Sequence, residues 1–328
     1  MENKQRFFGI PNRYLVLAIV VISIIVFYVM KVPVIMPHVQ LPAEKFSEHG
    51  FLTNTLVATF LADIILIALA FTVKRSLSGD SLVPKGMAGA IEALLEAILN
   101  LTESTAGKWT KMIFPWFATI TLLVLIANWM ELIPGVDSIG IINQEHVANF
   151  EEICQVSNFG PIAWLAPNPD AGEAAKECAQ AFIPYVRVVS TDLNFTAALA
   201  VISVVVTQIF GVRALGPGYF KKFWNTSTLF SVPVFGLIDF AVGLLEIVSE
   251  FAKILSFSFR LFGNIFAGSV LLFVMGSLVP VVVQSGFLML EFFVGLIQAI
   301  VFGMLTMVFM AQATQSHHGD AEEHEEHA

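Results

Sequence analysis

The chain has 328 residues, of which 56% are hydrophobic and only 13% charged, with a mean hydropathy of +0.78. A soluble domain carries roughly 25% charged residues, so the composition excludes a disordered chain, a nucleic-acid-binding surface and an ordinary cytosolic enzyme. The formal net charge of −9 is partly local, because Asp320, Glu322, Glu323, Glu325 and Glu326 all lie in the terminal stretch.

A helical crossing of the hydrocarbon core takes ~20 mostly apolar residues. The first candidate is Tyr14–Met30. Its basic start also suits a signal peptide, but the apolar run exceeds a typical h-region and no small-residue cleavage site is clear, so it reads as a retained helix. Leu52–Val73 is the second candidate. In Gly86–Trp109, the apolar Ile91, Leu94, Leu95, Ile98 and Leu101 are set against Glu92, Glu96 and Glu103. That is the pattern of an amphipathic helix laid on the membrane surface. Ile113–Ile133 and Leu193–Val212 are further crossings, with a long polar loop at 134–190 between them. A very long apolar stretch runs from Leu229 to Val283, and Phe287–Met310 is the last. The expected class is an all-α integral membrane protein with about six membrane helices and one surface helix.

Lysine and arginine orient the chain. One side holds Lys4, Arg6, Arg13, Lys74, Arg75, Lys85, Lys108, Lys111, Arg213, Lys221 and Lys222, and the other only Lys31, Lys45, Lys176 and Arg187. This asymmetry predicts both termini in the cytoplasm and the 134–190 loop outside. Cys154 and Cys178 form no metal or redox motif, and both fall in that outer loop. An oxidising compartment favours a disulfide between them, closing about 25 residues for ~3 kcal/mol of chain entropy.

Between Pro233 and Pro280 lie 46 residues, ~70 Å of helix against a hydrocarbon core of ~30 Å. The only turn-like pair is Gly263-Asn264, and a break there leaves too short a second crossing. One continuous helix is expected, tilted well beyond the usual 20° or so. It carries Asp239, Glu246, Glu250, Lys253, Arg260 and Asn264, which at ~100° per residue fall within about 80° of its circumference. Ionisable residues in a membrane segment mark function. Arg260 cannot shed its proton. Glu246 and Glu250 lie roughly 21 and 15 Å away along the helix, too far to bond it, so an anionic partner from another helix or subunit is expected. In the last segment Glu291 and Gln298 share a face. A glutamine there is usually packing glue, whereas a buried glutamate needs a proton, a cation or water. Asn128 and Glu131 close one crossing, and Asp192 with Asn194 opens the next. Asp192 also suits an N-cap.

The run Leu255-Ser256-Phe257-Ser258-Phe259-Arg260-Leu261-Phe262-Gly263-Asn264-Ile265-Phe266-Ala267-Gly268 strongly resembles the signature of subunit a of the rotary F-type ATP synthase. The similarity extends upstream through Glu246, Ser249 and Lys253 and downstream to Gln298-Ala299-Ile300-Val301-Phe302. Asn128-Trp129-Met130-Glu131-Leu132-Ile133-Pro134 and Asp192-Leu193-Asn194 resemble the family's outer-side motifs. The resemblance implies a stator subunit of the cell inner membrane, held beside a ring of c subunits and joined to a b-subunit peripheral stalk. It also implies two tilted helices forming a hairpin against the ring, and two aqueous half-channels separated by Arg260. Glu246, with Ser249 and Lys253, maps to the cytoplasmic half-channel. Asn264, Gln298, Glu291, Asn128, Glu131, Asp192 and Asn194 map near the arginine or along the outer one.

Ser269 departs from the pattern: many relatives carry an acid or histidine there, paired in role with the position of Glu291, which would leave Glu291 to act alone. By this reading residues 1–50 form an extra membrane helix and outer linker, 51–315 the ion-channel domain, and 316–328 an acidic tail. That tail, with His317, His318, His324 and His327, is a metal-binding composition that reads equally as a solvated end, and no metal or cofactor is expected. Nothing suggests nucleotide binding, so ATP chemistry falls to other subunits, and the choice between H⁺ and Na⁺ is open. An ion-coupled secondary transporter is the rival reading, without the inverted repeats or broken helices that such folds show.

Overall fold

A chain within lipid has to satisfy its backbone N–H and C=O groups internally, and a continuous helix does so residue by residue. The computed structural model describes residues 6–7, 10–11, 21, 43–46, 52–77, 87–133, 139–142, 149–159, 162–168, 178, 181–223, 233–278 and 282–315. The expected first crossing, apart from Val21, and the acidic tail lie outside the described residues. The long helices among them are α1 (Asn54–Leu77), α2 (Met87–Ala106), α3 (Thr110–Trp129), α4 (Leu193–Leu215), α5 (Pro233–Leu278) and α6 (Val282–Ala313). They supply five stretches long and apolar enough to cross a membrane, α2 and α3 together making one. The chain is an all-α integral membrane protein.

α5 is unbroken over 46 residues, about 70 Å of helix. The Gly263-Asn264 pair does not interrupt it. A glycine inside a helix costs only about 1 kcal/mol, and apolar helix formers flank this one on both sides.

The chain divides into two compact units. One comprises Met1–Val57, Glu131–Arg187 and Ile265–Val294. In it, the loop expected to be simply polar contains two antiparallel ladders. β1 (Gly140–Ile142) pairs with β4 (Phe182–Pro184), and β2 (Cys154–Phe159) pairs with β3 (Ile162–Pro167). Ile153, Cys154, Cys178 and Ala181 form a small buried core, with Ile142, Phe150 and Leu165 against it. Cys154 and Cys178 are brought together as a disulfide, their Cα atoms 5.5 Å apart. In the same unit Asn54, fully buried, sets the start of α1. Its Oδ1 accepts from the backbone N–H groups of Glu44 (3.2 Å) and Thr55 (2.9 Å), and its Nδ2 donates to the Glu44 carboxylate at 3.2 Å.

The other unit comprises Ala58–Met130, Val188–Asn264 and Gly295–Ala328. Its core joins Ile98 of α2, Ile113 and Phe117 of α3, Val206 and Phe210 of α4, and Met307 and Met310 of α6. The stripe of α2 that was expected to lie on lipid therefore packs on protein, with Leu94, Leu95 and Leu101 against the core and Glu96 and Glu103 exposed. Helical periodicity records an apolar face without recording what covers it. Between α2 and α3, Gly107 takes φ +51°, a left-handed conformation that favours glycine. Gly303 lets α6 approach α3, since a Cβ there would overlap the Thr121 hydroxyl and the Phe117 ring. Close approach at small residues is the usual basis of helix packing in lipid.

The disulfide is directly testable. Non-reducing mass spectrometry of the isolated chain is expected to return one bridged peptide carrying Cys154 and Cys178; alkylatable thiols at both positions after an oxidising preparation would contradict it.

Candidate ion-translocation site

Arg260 lies on α5, half-buried in this chain. Its Nη2 donates to Ser256 Oγ at 3.3 Å, and its guanidinium carbon lies 6.0 Å from the centre of the Phe257 ring. Both contacts are one turn or less away along the same helix. Among the described residues no carboxylate meets the guanidinium. At ~100° per residue, Ser249, Ala252, Ser256 and Gly263 share its face. Ser249, Ala252 and Ser256 are exposed, and nothing lies within 4 Å of where a Gly263 Cβ would stand. The arginine thus stands in an open strip of small side chains. On its buried flank, Phe257 packs against Phe302 and Phe309 of α6, with ring centres 5.2 and 5.6 Å away.

Toward the N-terminal half of α5, Glu246 is half-buried and Ser249 exposed. Lys253 is held: its Nζ donates to Glu250 at 2.9 Å and lies 4.8 Å from the centre of the Phe309 ring. Asn264 reaches α6, where its Nδ2 donates to Gln298 Oε1 at 2.8 Å. Gln298 is buried, and its Nε2 has no partner among the described residues.

Two of the predicted outer-side residues have clear structural roles. Asn128 is buried, accepts from Ser190 Oγ at 2.6 Å and donates to the Gly295 carbonyl at 3.1 Å, tying α3 to α6 and to the segment before α4. Asp192 is the N-cap of α4, its carboxylate accepting from Asn194 N–H at 2.9 Å, and the Asn194 side chain is exposed.

In the unit that carries the loop, the Ser269 hydroxyl is hydrogen-bonded to the Glu131 carboxylate and also lies 3.0 Å from the Ile265 carbonyl. Serine has a single hydroxyl proton, so it donates to an ionised Glu131, or turns to Ile265 and accepts from a protonated one. Glu291 is buried, and its carboxylate occupies the space that a Cβ on Gly268 would take. Glu291 Oε1 has no partner among the described residues. The serine that departs from the family pattern is thus matched with Glu131, and a glycine makes the room for Glu291.

The profile of the family described as ATP synthase A chain matches residues 56–311. The chain belongs to the ATP synthase A chain family. It is 29% identical over 281 residues to ATP synthase subunit a 2 of Syntrophotalea carbinolica, covering 86% of this chain and 94% of that one. It is 30% identical over 274 residues to ATP synthase subunit a of Helicobacter pylori (83% and 94%), and 27% identical over 284 residues to that of Moorella thermoacetica (86% and 100%). As a member of the ATP synthase A chain family, the protein is a multi-pass membrane-sector component and not an enzyme by itself.

Within this family frame, sequence reasoning missed Ser190, Gly268 and Tyr219. Ser190 gave no signal, since its bond to Asn128 spans 62 positions. Gly268 stood inside the signature but was read only as part of the run. Tyr219 follows the tight Gly216-Pro217-Gly218 turn. Asn128→Leu is expected to cost about 1–3 kcal/mol, because it leaves the buried Ser190 hydroxyl without its acceptor and removes the side-chain bond to the Gly295 carbonyl. The check is the thermal midpoint of the purified complex; an unchanged midpoint would show that the tie contributes nothing.

Proposed function

We propose that the protein is the ion-translocating stator subunit of an F-type ATP synthase, in which Arg260 separates two half-channels that open to opposite sides of the membrane. The observation that carries this reading is an arginine that meets no carboxylate among the described residues and stands in an exposed strip of small side chains. An arginine at the bilayer centre costs at least ~2.5 kcal/mol and needs an anion. A ring of c subunits, each bringing one carboxylate past the strip, supplies that anion from outside the chain.

The mechanism follows from the charge. A permanent cation favours the ionised form of a carboxylate beside it, so each arriving c subunit gives up its ion to the half-channel open at that point. The guanidinium does not lose a proton at physiological pH, so it passes none across, and leakage between the half-channels is blocked. Glu246, with Ser249 and Lys253 near it on α5, marks the inner path. Glu131, Ser269 and Glu291 mark the outer path, the serine hydroxyl turning as Glu131 gains and loses its proton. Asn264 and Gln298 hold α5 to α6 beside the arginine. The partners implied are the c ring and a b-subunit peripheral stalk, the ion is H⁺ or Na⁺, the membrane is the cell inner membrane and both termini are cytoplasmic.

Arg260→Ala is expected to abolish ATP-driven pumping in inverted vesicles while the complex still assembles. Arg260→Lys is expected to fail as well, because an ammonium is a flexible point charge that deprotonates readily on burial. Near-normal pumping in either variant would sink the assignment. Single cysteines replacing Glu246 and Glu291 are expected to react with membrane-impermeant reagents from opposite faces; labelling of both from one face would rule out two half-channels.

A further inference from the structure

Tyr219 belongs to no motif that pointed to this family, yet it is one of the most enclosed aromatic residues in its unit, 3% exposed. After α4 ends, Gly216 at φ +64° turns the chain into the 3-10 segment Gly216–Lys222. The Tyr219 ring folds back onto Gly211 of α4, where any Cβ would overlap it. Phe223 and Phe220 stand edge-on to it, with ring centres 5.7 and 6.3 Å away. Its hydroxyl donates to Gln208 Oε1 at 2.7 Å.

Two observations place this pair beside the carboxylates of α5. Near the start of α4, the Thr196 and Ser258 hydroxyls share a hydrogen bond at 3.3 Å. α4 and α5 are successive crossings of a multi-pass chain, so α5 returns across the membrane that α4 has crossed. The two helices therefore run antiparallel, and at ~1.5 Å per residue, equal steps from the Thr196–Ser258 contact bring Gln208 level with Glu246.

The chemistry of the pair is one-sided. A phenol has one proton, and Tyr219 gives it to Gln208, so toward the carboxylates its oxygen only accepts. Gln208 Nε2 is buried with no partner among the described residues and has two hydrogens to give. An acceptor oxygen, an amide donor and two carboxylates, one steadied by Lys253, together fit a hydrogen-bonded water that carries a proton. We propose that Tyr219, anchored by Gln208, is a positioning residue of the inner ion path, holding water against Glu246 and Glu250. The inference rests on the inner-path reading of Glu246 given above.

The test uses the assembled ATP synthase in proteoliposomes. Tyr219→Phe keeps the ring on Gly211 and deletes the hydroxyl, and Gln208→Leu removes its anchor. Each is expected to leave assembly intact and to slow ion conduction about three- to tenfold, the worth of one net hydrogen bond. Each is also expected to change the proton concentration that half-saturates entry from the inner face, with the outer-face value unaltered. Wild-type rate and half-saturation in Tyr219→Phe would overturn the proposal; so would loss of assembly, or equal effects from both faces, either of which would make Tyr219 a packing residue. Glu246→Gln, measured alongside, separates the two ideas. An inner-face defect there with a silent Tyr219→Phe defeats this inference alone, whereas a silent Glu246→Gln defeats the inner-path reading beneath it.

Discussion

A charge that cannot be discharged, placed on a membrane helix where its own chain offers it a hydroxyl and a ring face, sets the terms for the rest of the protein. Arg260 has Ser256 and Phe257 beside it and no carboxylate among the described residues. Most features around it serve either to keep it open or to hold its helix. The small residues on its face leave room for a partner to approach closely. On the opposite flank, Phe257 is locked against Phe302 and Phe309, and Asn264 is bonded to Gln298. The helix is thereby anchored on one side and bare on the other, which is the asymmetry that a stator needs against a moving ring in the proposed mechanism.

The carboxylates are arranged with a similar economy of partners. Glu250 has Lys253, Glu131 has the Ser269 hydroxyl, and Asp192 has the Asn194 amide at the start of α4. Glu291 instead lies in a space made by a glycine, with one oxygen lacking any partner among the described residues. A buried carboxylate left in this way is costly unless it takes a proton, a cation or water. That cost is the physical reason to place Glu291 on an ion path, while Asn128, whose hydrogen bonds are satisfied by Ser190 and Gly295, serves as a structural tie.

How much of this was readable from the amino-acid order varies with the range of the interaction. The unbroken α5 followed from its length and from a single turn-like pair whose breaking would leave too short a second crossing, and Arg260 followed from the cost of its charge. The amphipathic pattern of α2 was plain, but the pattern could not say that Phe117, Phe210 and Met307 cover its apolar face in place of lipid. The β1–β4 and β2–β3 ladders are not legible because their strands are short and most end at or near prolines, in a loop whose composition as a whole is polar. The Ser269–Glu131 pairing joins residues 138 positions apart, and no local periodicity records such a contact. For that reason Ser269 looked like a deficit when read against relatives, although it has a carboxylate partner in Glu131.

The measurement that bears most directly on the central claim is the position of the Arg260 guanidinium in the assembled ATP synthase, determined by electron cryo-microscopy at side-chain resolution. The account predicts that it faces the ring carboxylate of a c subunit across the strip of Ser249, Ala252, Ser256 and Gly263, with ordered water reaching Glu246 on one side and Glu291 on the other. A guanidinium paired with a carboxylate of its own chain and turned away from the ring would contradict it.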